Sequence, residues 1–95
     1  MTRQELICRV VELMIDDIEL MKQKNSDYSP GEDALQNFRD FGAEGIVVRL
    51  GDKYHRAKTW AQRKTLVISE EKASDTLRDM SNYCYLARIL LENKP

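Results

Sequence analysis

Apolar residues recur along this chain at the three- to four-residue spacing of helices. Projected at about 100° per residue, Ile7, Val10, Val11, Met14, Ile18 and Met21 share one face, and Leu6, Leu13 and Leu20 widen it. Glu5, Glu12, Asp16 and Glu19 fall on the far side. Thr2-Arg3-Gln4-Glu5 has the Thr-x-x-Glu form of a capping box, so the first helix is predicted to start at once. The run from Asn25 to Asp33 has loop composition: Asn, Ser and Asp compete for backbone hydrogen bonds, and Pro30-Gly31 is turn chemistry.

Ala34 to Phe41 is predicted to be a short helix, closed by Gly42 in the left-handed conformation. A third helix follows from about Ala43 to Gln62, with Ile46, Val47, Leu50, Tyr54, Ala57 and Ala61 as its core face. Gly51 inside it suggests a close backbone approach or a local irregularity. Arg63 to Ile68 reads as a loop. Ser69 then caps a fourth helix to about Asn93, with Glu70 and Glu71 complementing the macrodipole of its first turn. Its predicted stripe is Ala73, Leu77, Met80, Cys84, Ala87 and Leu91. These elements predict an all-α fold, a small bundle of three long helices plus one short helix, with residues 1–95 as a single domain.

Composition narrows the classes. Fifteen basic and 16 acidic residues leave a net charge of -1, so no global field attracts nucleic acid or anionic membrane. No apolar run is long enough to span a membrane, and the N-terminus lacks the apolar core of a signal peptide, which points to a cytoplasmic protein. The two cysteines, Cys8 and Cys84, have no metal-ligand spacing and are expected to be buried, reduced thiols. Leu86 and Ile89 lie roughly opposite the main stripe of the fourth helix. Either a homodimer interface or a fully surrounded central helix accounts for them.

Charged residues form two clusters. On the third helix Arg49, Asp52, Lys53 and Arg56 flank the core face; Arg and Lys one or two turns apart suit the oxygens of a phosphate chain, and an intervening Asp suits the cation that accompanies it. The alternative is a ladder of surface salt bridges, Arg49 to Asp52 and Asp52 to Arg56. On the fourth helix Glu71, Asp75 and Asp79 recur every four residues, with Asn82 one turn on. Acids at this spacing repel unless a cation sits between them, and magnesium accepts oxygens so arranged. A solvated face with Lys72 and Arg78 nearby is the competing reading. Asp17 falls inside the apolar arc of the first helix, where a carboxylate requires a partner: either Lys53 or Arg56 in a salt bridge, or a shared metal. His55 projects to solvent and is expected to be a surface histidine. Walker, GxSxG, HExxH and CxxC motifs are absent.

The order Asn25-x-Asp27-Tyr28, Gly42-x-x-Gly45-Ile46, Arg49-x-x-Asp52-Lys53-x-x-Arg56 and Asp75-Thr76-Leu77-x-Asp79-x-x-Asn82-Tyr83 resembles the nucleotide-modification-associated domain 1 family, found mainly in bacteriophages and bacteria. The resemblance spans about residues 20 to 90 and implies a phage-type protein acting near nucleotide metabolism. More distantly the chain is similar to the all-α nucleoside triphosphate pyrophosphohydrolases of the MazG type, which hold magnesium with acidic pairs on neighbouring helices. It departs from them in that Asp16-x-x-Glu19 lies on the wrong face and the fourth helix spaces its acids by four.

Taken together, Asp17, Asp52, Asp75 and Asp79 are expected magnesium ligands. Arg49, Lys53 and Arg56 are expected to contact phosphates, with Tyr28 covering a base and Glu71 and Asn82 completing the pocket. The expected partner is a nucleoside triphosphate, bound by a chain that forms a homo-oligomer, a dimer first of all. The alternative is a non-catalytic accessory protein that sequesters a nucleotide or blocks a host protein.

Overall fold

A computed structural model describes residues 1–63 and 70–92, the side chains of Glu70 and Glu71 excepted. It is all-α, with α1 over Arg3–Tyr28, α2 over Gln36–Arg39, α3 over Gly42–Arg63 and α4 over Glu70–Glu92. The predicted loop after Arg63 and the Ser69 cap lie outside the described residues. Among those described, no helix is long and apolar enough to cross a membrane. The chain divides into two compact units, Met1–Asn37 and Phe38–Pro95.

In the first unit, the Thr2 hydroxyl accepts a hydrogen bond from the Glu5 backbone N–H at 3.1 Å, as the capping motif predicts. The helix runs one turn past its predicted end, because Asn25 and Ser29 turn their polar groups toward the following loop. Asn25 donates its side-chain amide to the Ala34 carbonyl at 2.7 Å. Buried Ser29 accepts the Asn37 N–H on its hydroxyl and donates its own N–H to the Asn25 carbonyl at 2.8 Å. Pro30 then ends the helix by excluding its predecessor from helical backbone; Ser29 has φ -133 and ψ 73. Asp33 opens the short α2 region by accepting the Leu35 N–H on its carboxylate.

The apolar face of α1 is not the core it resembles in projection. No residue of α1 is buried. Within its own unit the helix has only a few residues of loop for company, too little chain to cover a face running from Leu6 to Met21. Cys8 lies beside this face and Cys84 on an outward row of α4; both are exposed and free, against the expectation of buried thiols.

The second unit is a helical hairpin in which α3 packs along α4. The two run antiparallel. Lys53 lies roughly 15 Å of axial rise from the end of α3, and its partner Asp79 roughly 14 Å from the start of α4. A parallel pair would ask residues 64–69 to bridge about 29 Å, beyond the ~25 Å reach of that many residues.

The seam on α3 is Ile46, Leu50, Lys53, Ala57 and Trp60, at 4-3-4-3 spacing, all buried or half-buried. On α4 it is Ala73, Thr76, Met80, Tyr83, Ala87 and Leu90. This differs from the predicted stripes in a systematic way. Leu77, Cys84 and Leu91, spaced by seven, are exposed, and Val47, Tyr54 and Ala61 are exposed on α3. Seen alone, each helix has a broad apolar arc, and the partner selects which edge of it becomes the seam. Thr76 is accommodated in the seam because its hydroxyl donates to the Lys72 carbonyl at 3.0 Å, one turn back. Leu86 is buried while Ile89 is 40% exposed, so α4 is not apolar and covered on two sides.

Two glycines behave oppositely. Gly42 has φ 64, the left-handed turn predicted for it. A β-carbon on Gly45 would collide with the β-carbon of Phe41, whereas nothing lies within 4 Å of one on Gly51. The close approach expected at Gly51 is therefore found at Gly45. Gly51→Ala should raise stability by about 0.5–1 kcal/mol through helix propensity, and Gly45→Ala should lower it by about 1–3 kcal/mol through the forced shift. Urea denaturation of the two variants measures both.

Candidate functional site

The α3–α4 seam joins the two charged clusters at one point. Lys53 Nζ donates to an Asp79 carboxylate oxygen at 3.1 Å, with each side chain 23% exposed. A lysine enters this seam because its aliphatic stem covers apolar surface while its ammonium reaches the carboxylate at the rim. Burial to this degree makes the pair stronger than a surface bridge, since fewer waters compete with it.

Arg49 and Arg56 lie one turn before and one turn after Lys53, both exposed. Neither makes an ion pair with any described carboxylate, and Asp52, exposed on the same helix, does not bridge them. The predicted salt-bridge ladder is thus not formed. Three cations follow one edge of α3, and among the described residues an acid engages only the middle one.

Across the seam, antiparallel register sets Asp75 at the axial level of Arg56 and Asn82 at the level of Arg49. Asp75 is exposed and lies 3.8 Å from Arg78 Nη1 on its own helix. Asn82 is half-buried and has a polar interaction. Glu71 lies in the first turn of α4, and its side chain lies outside what the structure describes. His55 is exposed, as expected of a surface histidine.

Asp17 and Tyr28 belong to the first unit. Asp17 is half-buried on α1 and has an interaction partner. Tyr28 is the last residue of α1, 68% exposed, rather than part of a loop. An open depression on α1 is lined by Glu19, Lys22, Gln23, Ser26 and Asp27, none of them a predicted site residue.

Among the described residues no group of three or more His, Cys, Asp or Glu side chains is gathered closely enough to hold a metal ion. Magnesium needs only one or two protein carboxylates when substrate phosphates and water complete its shell. Asp75 and Asp79 are one turn apart on α4; Asp79 is held by Lys53 and Asp75 lies near Arg78.

Trp60 was not among the residues the sequence singled out for the core face of α3, and it lies in the seam with its indole N–H buried and unpartnered among the described residues. The signal was available in its spacing of three from Ala57, which continues the 46-50-53-57 series. No family model matches the chain, and no curated protein or solved structure matches it either.

Proposed function

We propose that this is a cytoplasmic, phage-type nucleotide-handling protein in which the rim of the α3–α4 hairpin receives the phosphates of a nucleoside triphosphate. The observation that carries this reading is the row of Arg49, Lys53 and Arg56, whose outer two members face solvent without a carboxylate partner among the described residues. Paired guanidiniums would be a solvated face; unengaged ones at this spacing supply forked donors for phosphate oxygens. The family resemblance adds the nucleotide to the phosphate.

Hydrolysis would require more of α4. Magnesium bound at Asp75 and Asp79 would polarise a water and offset phosphate charge. For this, Asp79 must exchange Lys53 for the metal, and the released ammonium would then be available to the phosphates beside Arg49 and Arg56.

The second reading is a binder without chemistry, which sequesters a nucleotide or acts on a host protein. It is favoured by the engagement of Asp79 with a cation of the chain itself.

A panel of nucleotides with magnesium, scored for thermal shift and for pyrophosphate release, tests both. Stabilisation with release that is lost in Asp75→Ala and Asp79→Ala supports the enzyme, and stabilisation without release supports the binder. If no nucleotide stabilises the chain, the proposal is wrong.

A further inference from the structure

Resting on the reading of the α3–α4 rim as a phosphate site, we propose that Asp79 is an internal stand-in for the ligand. In the free protein it occupies Lys53, and a bound phosphate takes its place without help from a metal.

The Lys53 ammonium meets the Asp79 carboxylate at 3.1 Å, and each side chain is 23% exposed. Two opposite charges held this closely leave no net charge at the centre of the row. Arg49 precedes Lys53 by about 6 Å of axial rise and Arg56 follows it by about 4.5 Å. Both are exposed, and neither is engaged by a carboxylate among the described residues. Asp79 therefore stands in the middle of an anion site roughly 10 Å long and holds the one cation of the row that is half-buried. A carboxylate in that place repels an incoming phosphate until it gives up Lys53. Both side chains keep contact with solvent, so the exchange asks for side-chain rotation and leaves the two helices packed.

Such an exchange selects the ligand by charge. A singly charged carboxylate or chloride offers Lys53 no more than Asp79 already supplies, and the contact stays closed to it. A chain of two or more phosphates carries several charges, and it reaches the forked donors of Arg49 and Arg56 in the same step. The contact between Lys53 and Asp79 thus admits phosphate chains and screens out the monovalent anions that a bare row of cations would also attract.

Isothermal titration of the full chain with inorganic pyrophosphate, in buffer holding a chelator so that no divalent metal takes part, provides the test. Asp79→Asn keeps the size of the side chain and an oxygen for Lys53 while removing the competing charge. It should bind pyrophosphate roughly tenfold more tightly than the wild type. Glu92→Gln removes the same charge about 20 Å further along α4, beyond the range of screened charges, and should leave the affinity unchanged. In the wild type the carboxyl carbon resonance of Asp79 should shift as pyrophosphate binds, a readout that needs no variant. An affinity unchanged or weakened in Asp79→Asn, an equal gain in both variants, or an Asp79 resonance that stays fixed while pyrophosphate binds overturns the exchange and leaves the phosphate site standing. If neither the wild type nor Asp79→Asn binds pyrophosphate, the phosphate site itself is refuted, and the exchange with it.

Discussion

Ile46→Ala should cost about 2–5 kcal/mol of stability, while Val47→Ala, one residue away, should change it by less than about 0.5 kcal/mol. The two residues look equivalent in the periodicity of α3, but Ile46 is 2% exposed and Val47 is 59% exposed. Truncating Ile46 removes three carbons from the most buried large side chain of the described residues and leaves a void in the α3–α4 seam. Domains of this length have a total stability of only about 5–14 kcal/mol, so the loss is a large share of it. With a urea slope near 1 kcal/mol/M, the denaturation midpoint should fall by roughly 2 M or more in Ile46→Ala and stay nearly fixed in Val47→Ala. Equal shifts in the two variants would contradict the seam.

Removing Arg49 and Arg56 together should abolish triphosphate binding without touching the fold. Each charge-assisted contact to a phosphate contributes about 1.5–3 kcal/mol, so Arg49→Ala/Arg56→Ala should weaken affinity by roughly a hundredfold or more. Neither side chain is buried, nor paired with a carboxylate among the described residues, and the thermal midpoint of the free protein should therefore stay within a degree or two of wild type. Lys53→Ala would be a poorer probe. It leaves Asp79 partly buried without its cation, so lost binding and lost stability would be confounded. Isothermal titration at two salt concentrations separates the readings: the wild-type affinity should fall as salt rises, and that slope should flatten in the double variant.

The parts of the fold set by neighbouring residues were legible in the sequence. Thr2 as a helix cap and Gly42 as a left-handed turn depend on the backbone within a few positions, and both are found as expected. The number and kind of the helices follow from periodicity for the same reason. The phase of the packing does not, because it depends on residues far along the chain. Leu77, Cys84 and Leu91 satisfy a heptad as well as Thr76, Tyr83 and Leu90 do, and only the approach of α3 decides that the second set is covered. Lys53 is the clearest instance. No local rule puts a lysine in a helix seam, and its place there depends on Asp79, 26 residues away. Asp52 was grouped with the cations by spacing alone, and the structure leaves it exposed and outside any bridge. Gly51 was read as a contact point because a glycine in mid-helix demands a reason, yet the reason operates at Gly45, where the Phe41 side chain crosses the helix start.

The functional reading rests on three side chains of α3 and two of α4 acting on one ligand. A titration of isotopically labelled protein with magnesium and a nucleoside triphosphate, followed residue by residue through backbone amide shifts, tests this most directly. The expected result is a saturable shift concentrated at Arg49, Lys53, Arg56, Asp75 and Asp79, with the α1 amides unmoved. Shifts confined to α1, or none at all at millimolar ligand, would contradict the account.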